Sequence, residues 1–103
     1  MLVQVLVNLI RNGVEAMERG GELRVGMRRL GERVELSVAD TGCGIGDQDR
    51  MRVFDPFFTT KQGGTGLGLA IVHSIVQGHR GQVRLESRPG VGTTFRVELP
   101  IEA

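Results

Sequence analysis

Asp40 closes an alternating apolar run (Val34, Leu36, Val38), and Thr93 opens another (Phe95, Val97, Leu99). Strand side chains repeat every two residues, so this spacing predicts that a carboxylate and a hydroxyl point the same way as their apolar neighbours, into a packed interior. A carboxylate taken out of water without partners is costly, and Asp40 therefore needs donors from protein, water or a ligand. Capping the loop that starts at Thr41 would satisfy it, and so would a bound molecule.

Two further groups could handle an anion and its counter-ion. The stretch GGTGLGLAIV, residues 63–72, runs directly into a helical pattern. A helix start offers unpaired N–H groups and the positive end of the helix dipole, and glycines let a phosphate come close. A plain tight turn uses the same residue types. No strand pattern immediately precedes the stretch and no Lys-Ser/Thr pair follows it, which disfavours a dinucleotide-binding crossover and a P-loop. Asn8 and Asn12 lie one helical turn apart, and an amide oxygen is a suitable hard ligand for Mg²⁺, which otherwise keeps water and phosphate oxygens. Two asparagines on a helix also make an ordinary solvated face.

The elements that must position these residues are legible as patterns. Leu2, Leu6, Leu9, Gly13 and Ala16 recur at spacings of three and four and predict a helix over 2–18, with Gln4, Asn8 and Asn12 as its polar stripe and Gly20-Gly21 as its end. Leu23, Val25 and Met27, then Val34, Leu36 and Val38, alternate on either side of Gly31-Glu32 and predict a half-buried hairpin. Residues 41–64 read as loop, with one helical turn near Gln48 to Val53. A second helix is expected from about Thr65 to Gly78, with His73 and Gln77 on its outer side, followed by strands Gln82 to Ser87 and Thr93 to Leu99 around the turn Arg88-Pro89-Gly90. Four alternating strands and two helices imply an α+β, two-layer sandwich with helices on one face of the sheet.

The totals set the outer limits. A chain of 103 residues is one domain, 1–103. Apolar residues at 40%, charged residues at 24% and a net charge of +1 are ordinary globular values, which exclude a disordered chain and a nucleic-acid-coating surface. The single Cys43 cannot form an internal disulfide, no apolar run is long enough to span a bilayer, and no signal-peptide pattern precedes the first helix, so a soluble cytoplasmic location without membrane insertion is expected. Glycine is over-represented, with 16 copies, and three of the four phenylalanines (Phe54, Phe57, Phe58) sit within five positions.

Taken in order, NLIRNGVEAM, DTGCGIG, VFDPFFTTK, GGTGLGLAIV and GVGTTFRVELP resemble the N box, first glycine box, F box, second glycine box and closing strand of sensor histidine kinases. The resemblance covers nearly the whole chain. It implies a Bergerat-type nucleotide fold, with a mixed, mainly antiparallel sheet, and ATP and Mg²⁺ as ligands. In that family the residue matching Asp40 receives the adenine amino group and the one matching Thr93 helps bind adenine. Asn12 would hold Mg²⁺, Gly42, Gly44 and the adjoining Ile45 would line the adenine pocket, and Gly64, Thr65, Gly66, Leu67 and Gly68 would shape the phosphate site. Residues between Phe54 and Gly64 would form an ATP lid anchored by Phe54, Phe57 and Phe58, with Lys61 as a candidate phosphate contact or a solvated lysine. The short lid is similar to that of the nitrogen-regulator class. The implied partners are a histidine-bearing dimerisation domain and, through it, a response regulator.

Several positions depart from the family pattern. Hydrolysing relatives usually carry a Glu four residues before the Mg²⁺-binding Asn; here that position is Asn8, and an amide takes no proton at neutral pH, which favours transfer over hydrolysis. Glu15 stands where relatives often have Lys. Neither His73 nor His79 lies in an acceptor-type motif, and both read as surface residues. Cys43, between two box glycines, reads as a small filler. The strand and helix that usually precede the N box are not present in the sequence, which implies an N-terminally shortened domain with an open sheet edge. A stand-alone ATPase of the same fold, a non-catalytic nucleotide-binding or interaction module, and a serine-kinase anti-sigma factor are the competing readings.

Overall fold

The structure is a computed structural model and describes residues 2–50, 52–54 and 68–101. Its elements are α1 (Leu2–Ala16), β1 (Leu23–Leu30), β2 (Arg33–Asp40), α2 (Asp47–Arg50), α3 (Gly68–Gly78), β3 (Gln82–Arg88) and β4 (Gly92–Pro100). The strands form one sheet in the order β1-β2-β4-β3. Every pairing among the described residues is antiparallel, so the parallel component implied by a mixed sheet does not occur in this part of the chain.

Helices α1 and α3 lie against one face of the sheet. Val5 and Leu9 of α1 and Val72, Ile75 and Val76 of α3 meet Val38, Phe95, Val97 and Leu99 of the two central strands in a single buried cluster. The spacing of four in α1 and of three and four in α3 puts each apolar set on one side of its helix, which is why these segments fold as amphipathic helices over a sheet. The other face of the sheet is a lattice of charges: Arg28 and Arg96 flank Glu35, Arg96 also bonds Glu86, and Arg33 pairs with Glu98.

Two sequence expectations change. Helix α1 stops at Ala16, two residues short of the predicted end, because the Ala16 carbonyl accepts the Cys43 N–H at 3.1 Å instead of continuing the helix. Val25 and Met27, expected half-buried, are 50% and 72% exposed, because α1 packs chiefly over β2 and reaches little of the edge strand β1. Helix α3 begins at Gly68 within the described residues, and the predicted start at Thr65 lies outside them.

At its other end α3 closes through Gly81 N–H to the Val76 carbonyl at 2.9 Å and Arg80 N–H to the Gln77 carbonyl at 3.1 Å, with Arg80 at φ 62°. This is the double bond of a left-handed helix cap. Glycine would suit that conformation, but the glycine of this turn occupies the next position, where a Cβ on Gly81 would meet the Glu98 carbonyl oxygen at 2.5 Å.

Candidate functional site

The strand register places side chains of the helix-covered face in rows across the sheet. Met27, Leu36, Val97 and Val83 form one row, and Val25, Val38, Phe95 and Leu85 the next. The following row is Leu23, Asp40, Thr93 and Ser87, so the apolar face ends in three polar side chains set edge to edge. Asp40 is 7% exposed and Thr93 4%. The inward direction expected for both from alternation is therefore the observed one.

Asp40 Oδ1 accepts the Gly42 N–H at 2.8 Å, a turn in which the carboxylate caps its own following loop. Among the described residues no other hydrogen bond reaches this carboxylate. Capping and ligand binding are thus compatible, since an ionised carboxylate accepts from several donors. Gly13 of α1 lies against the same group: a Cβ there would be 3.5 Å from Asp40 Cβ. A cavity of about 470 Å³ opens at this row, lined by Asp40, Thr93, Ser87, Gly92 and Thr94, with Arg50, Arg88 and Glu86 among its charged groups. The Arg96 guanidinium donates to Glu86 and holds its carboxyl below the ordinary carboxylate range, and Glu86 in turn raises Arg96.

The glycines of the first box are explained by close approach. A Cβ on Gly42 would sit 2.5 Å from the Ala16 carbonyl oxygen, and one on Gly44 would sit 2.2 Å from that of Arg88. Cys43 between them acts through its backbone, its N–H on Ala16 and its carbonyl accepting the Gly90 N–H at 2.7 Å. Its side chain is exposed, so it does not fill space as expected. Ile45 is partly buried against the core and donates its N–H to Ser87 Oγ at 2.7 Å.

Asn8 and Asn12 are both half-buried, one turn apart on α1. Among the described residues no group of three or more His, Cys, Asp and Glu side chains converges. A donor set of amide oxygens fits Mg²⁺, which takes most of its six ligands from water and phosphate rather than from a protein cage. Gly68 is the first residue of α3 and is half-buried. Lys61, Gly64, Thr65, Gly66 and Leu67, together with Phe57 and Phe58, lie outside the described residues.

Phe54 itself packs on the body: it meets Phe95 edge-on with ring centroids 6.3 Å apart, and its ring lies 5.3 Å from that of His73; the segment it was expected to anchor lies outside the described residues. The two histidines, expected at the surface, are instead half-buried. His73 is held by Phe54, and His79 turns back so that Nδ1 lies 2.8 Å from the Ile75 carbonyl oxygen. Sequence reasoning passed over Ser87, Arg50 and Arg88. For Ser87 a signal existed, because the alternation of Val83 and Leu85 continues onto it and so points it inward beside Thr93.

The family model described as the histidine kinase-, DNA gyrase B-, and HSP90-like ATPase matches residues 1–103. The chain belongs to that family. It is 43% identical over 102 residues to the signal transduction histidine-protein kinase AtoS of Escherichia coli (strain K12), an alignment spanning 98% of this chain and 17% of that protein. It is 46% identical over 101 residues to the sensor histidine kinase ZraS of Klebsiella oxytoca, spanning 97% and 22%. Among solved structures, the catalytic domain of histidine kinase ThkA superposes with a TM-score of 0.85 at 37% identity, covering 96% of this chain and 65% of that one. Full-length ShkA in complex with AMPPNP gives 0.87 at 38%, covering 96% and 21%. The chain thus spans about a fifth of the length of the curated relatives it matches. No helix among the described residues is long and apolar enough to cross a membrane.

Proposed function

We propose that this chain, as a single cytoplasmic domain, is the ATP-binding catalytic part of a sensor histidine kinase. It binds Mg-ATP and donates the γ-phosphoryl group to a histidine on a separate dimerisation domain, from which a response regulator takes it. The observation that carries this reading is the buried Asp40, with accepting capacity to spare, beside Thr93 at the open end of the sheet in a chain of this family.

Each residue has a physical role in the reading. Asp40 accepts the amino group of adenine, and Thr93 lies beside it on the same row. Gly42, Gly44 and Ile45 set the wall of the base site, and Gly64, Thr65, Gly66, Leu67 and Gly68 bring backbone N–H groups to the phosphates. Asn12 supplies an amide oxygen to Mg²⁺, which neutralises phosphate charge when bound. Asn8, with no proton-accepting group, leaves water unactivated and so favours transfer to an incoming imidazole. Lys61 adds a cation on the lid side. Positioning and charge neutralisation then carry most of the catalysis.

Calorimetric titration of the purified chain with a non-hydrolysable ATP analogue, with and without Mg²⁺, tests the binding step. One saturable site whose affinity rises with Mg²⁺ is the expected result, and a folded chain that binds no adenine nucleotide would sink the reading. Adding a histidine-bearing dimerisation domain and labelled ATP tests transfer. Sustained phosphate release by the pure chain alone would instead favour the ATPase reading.

A further inference from the structure

Asp40 has one neighbour on each side across the sheet, Leu23 of β1 and Thr93 of β4. Leu23 is the apolar one, half-buried and packed against the core. Gly13 of α1 is buried against the same pair. A Cβ added to Gly13 would lie 2.7 Å from Leu23 Cδ1, 3.5 Å from Asp40 Cβ and 3.6 Å from Asp40 Oδ2. The last two are ordinary contacts, and the first is an overlap. The leucine branch thus occupies the space that a side chain at position 13 would need, so the long residue on β1 and the missing methyl on α1 fit each other.

The consequence falls on the carboxylate. Its Oδ1 accepts the Gly42 N–H, and Oδ2 is the oxygen nearer to α1. Leu23 and Gly13 fill the β1 and α1 sides of Asp40, which is 7% exposed, and the side left for a donor is that of Thr93. Shortening the leucine would leave a void beside the acid, into which the carboxylate could turn or a water could settle. A methyl at position 13 would push the branch aside and breach the same wall. Either change moves or wets the group whose position sets the hydrogen bond.

We propose that Leu23 is a positioning residue for Asp40, and that its fit into the space left at Gly13 holds the carboxylate toward Thr93, where it accepts from the base. The inference rests on the adenine-nucleotide reading above and adds to it the wall that fixes the acid. Leu23 touches no ligand in this account and acts only through Asp40.

Gly13→Ala adds one carbon and Leu23→Val removes one, so the double variant conserves volume and neither single variant does. Affinity for a non-hydrolysable ATP analogue is measured by calorimetry for the wild-type chain, both single variants and the double. Each single change should weaken binding about three- to tenfold, the effect of one impaired charge-assisted hydrogen bond, and the double variant should recover most of the loss. Gly13→Ala should weaken binding even though alanine is the better helix former. Repeated in an Asp40→Asn chain, the same changes should alter the remaining affinity little, because their effect passes through the carboxylate. Single variants that bind as the wild type does, a double variant no better than the worse single one, or equal losses with and without the carboxylate overturn the inference and leave the nucleotide reading standing. A folded wild type that binds no adenine nucleotide overturns both. Should Gly13→Ala not fold, Leu23→Val and Leu23→Ala are judged by the same comparison with Asp40→Asn.

Discussion

Strand β2 carries two carboxylates that are equally buried, each 7% exposed, on opposite faces of the same sheet. Glu35 faces the open side and is enclosed by cations, with Arg28 Nε at 3.0 Å and Arg96 Nη1 at 3.5 Å from its Oε1. Asp40 faces the helices and has one backbone N–H, that of Gly42, and no salt bridge among the described residues. Burial alone therefore does not separate a structural acid from a ligand-facing one. The separation lies in what the surroundings supply: Glu35 is neutralised by neighbouring strands, whereas Asp40 keeps acceptor capacity that the described residues do not use.

Four changes break or sharpen that contrast. Gly92→Ala should have the largest effect, because its φ of 151° and the 2.1 Å approach to the Asp40 carbonyl leave no room for a methyl group, and about 2–4 kcal/mol of stability should be lost in a denaturant titration. Asp40→Asn keeps the side-chain oxygen that caps Gly42, so the denaturant midpoint should hardly move while adenine-nucleotide affinity falls by about 1–3 kcal/mol. Equal losses of stability and affinity would place Asp40 in the same class as Glu35.

Glu35→Ala should do the reverse. Its partners are 65% and 34% exposed, so the cations left behind are partly solvated and the loss of stability should be about 1–2 kcal/mol, with nucleotide affinity unchanged in the same titrations. The smallest effect is expected at Glu86, whose folded value is pulled below that of an ordinary carboxylate by Arg96. The unfolded chain then binds a proton at higher pH than the folded one does, so the contribution is present above the ordinary carboxylate value and fades as pH falls through the lowered one. Glu86→Gln should flatten the acid side of the stability profile slightly, and added salt should shrink the difference because the pair is exposed.

Alternation along β2 was enough to point Asp40 inward, and alternation along β4 did the same for Thr93. The same pattern assigned Glu35 to the polar face and had no means of showing its burial, which comes from Arg28 on β1 and Arg96 on β4 and depends on strand order. Val25 and Met27 illustrate the converse: period two identifies a face but not whether a helix covers it. Gly42 and Gly44 were expected to line a pocket, and no local pattern shows that a Cβ at either would meet backbone, the carbonyls of Ala16 and Arg88, which are 26 and 44 positions away in the chain by subtraction. Ser87 was within reach of the same period-two counting. Its three partners come from two segments, Ile45 from one and Gly92 and Thr93 from the start of β4, and no local pattern displays that meeting.

The strand order also has a consequence for the sequence of events in folding. The pairs β1–β2 and β3–β4 are hairpins with short turns, of the kind that form locally in about 1–10 μs. The β2–β4 pairing is the non-local one, and it must close a loop holding everything from Thr41 to Val91 before its contacts are gained. Asp40 and Thr93 face each other across that seam. The polar row therefore does not exist in either hairpin alone and is assembled only when the two halves join, so a ligand gripping both residues acts as a staple on the least local strand pairing among the described residues.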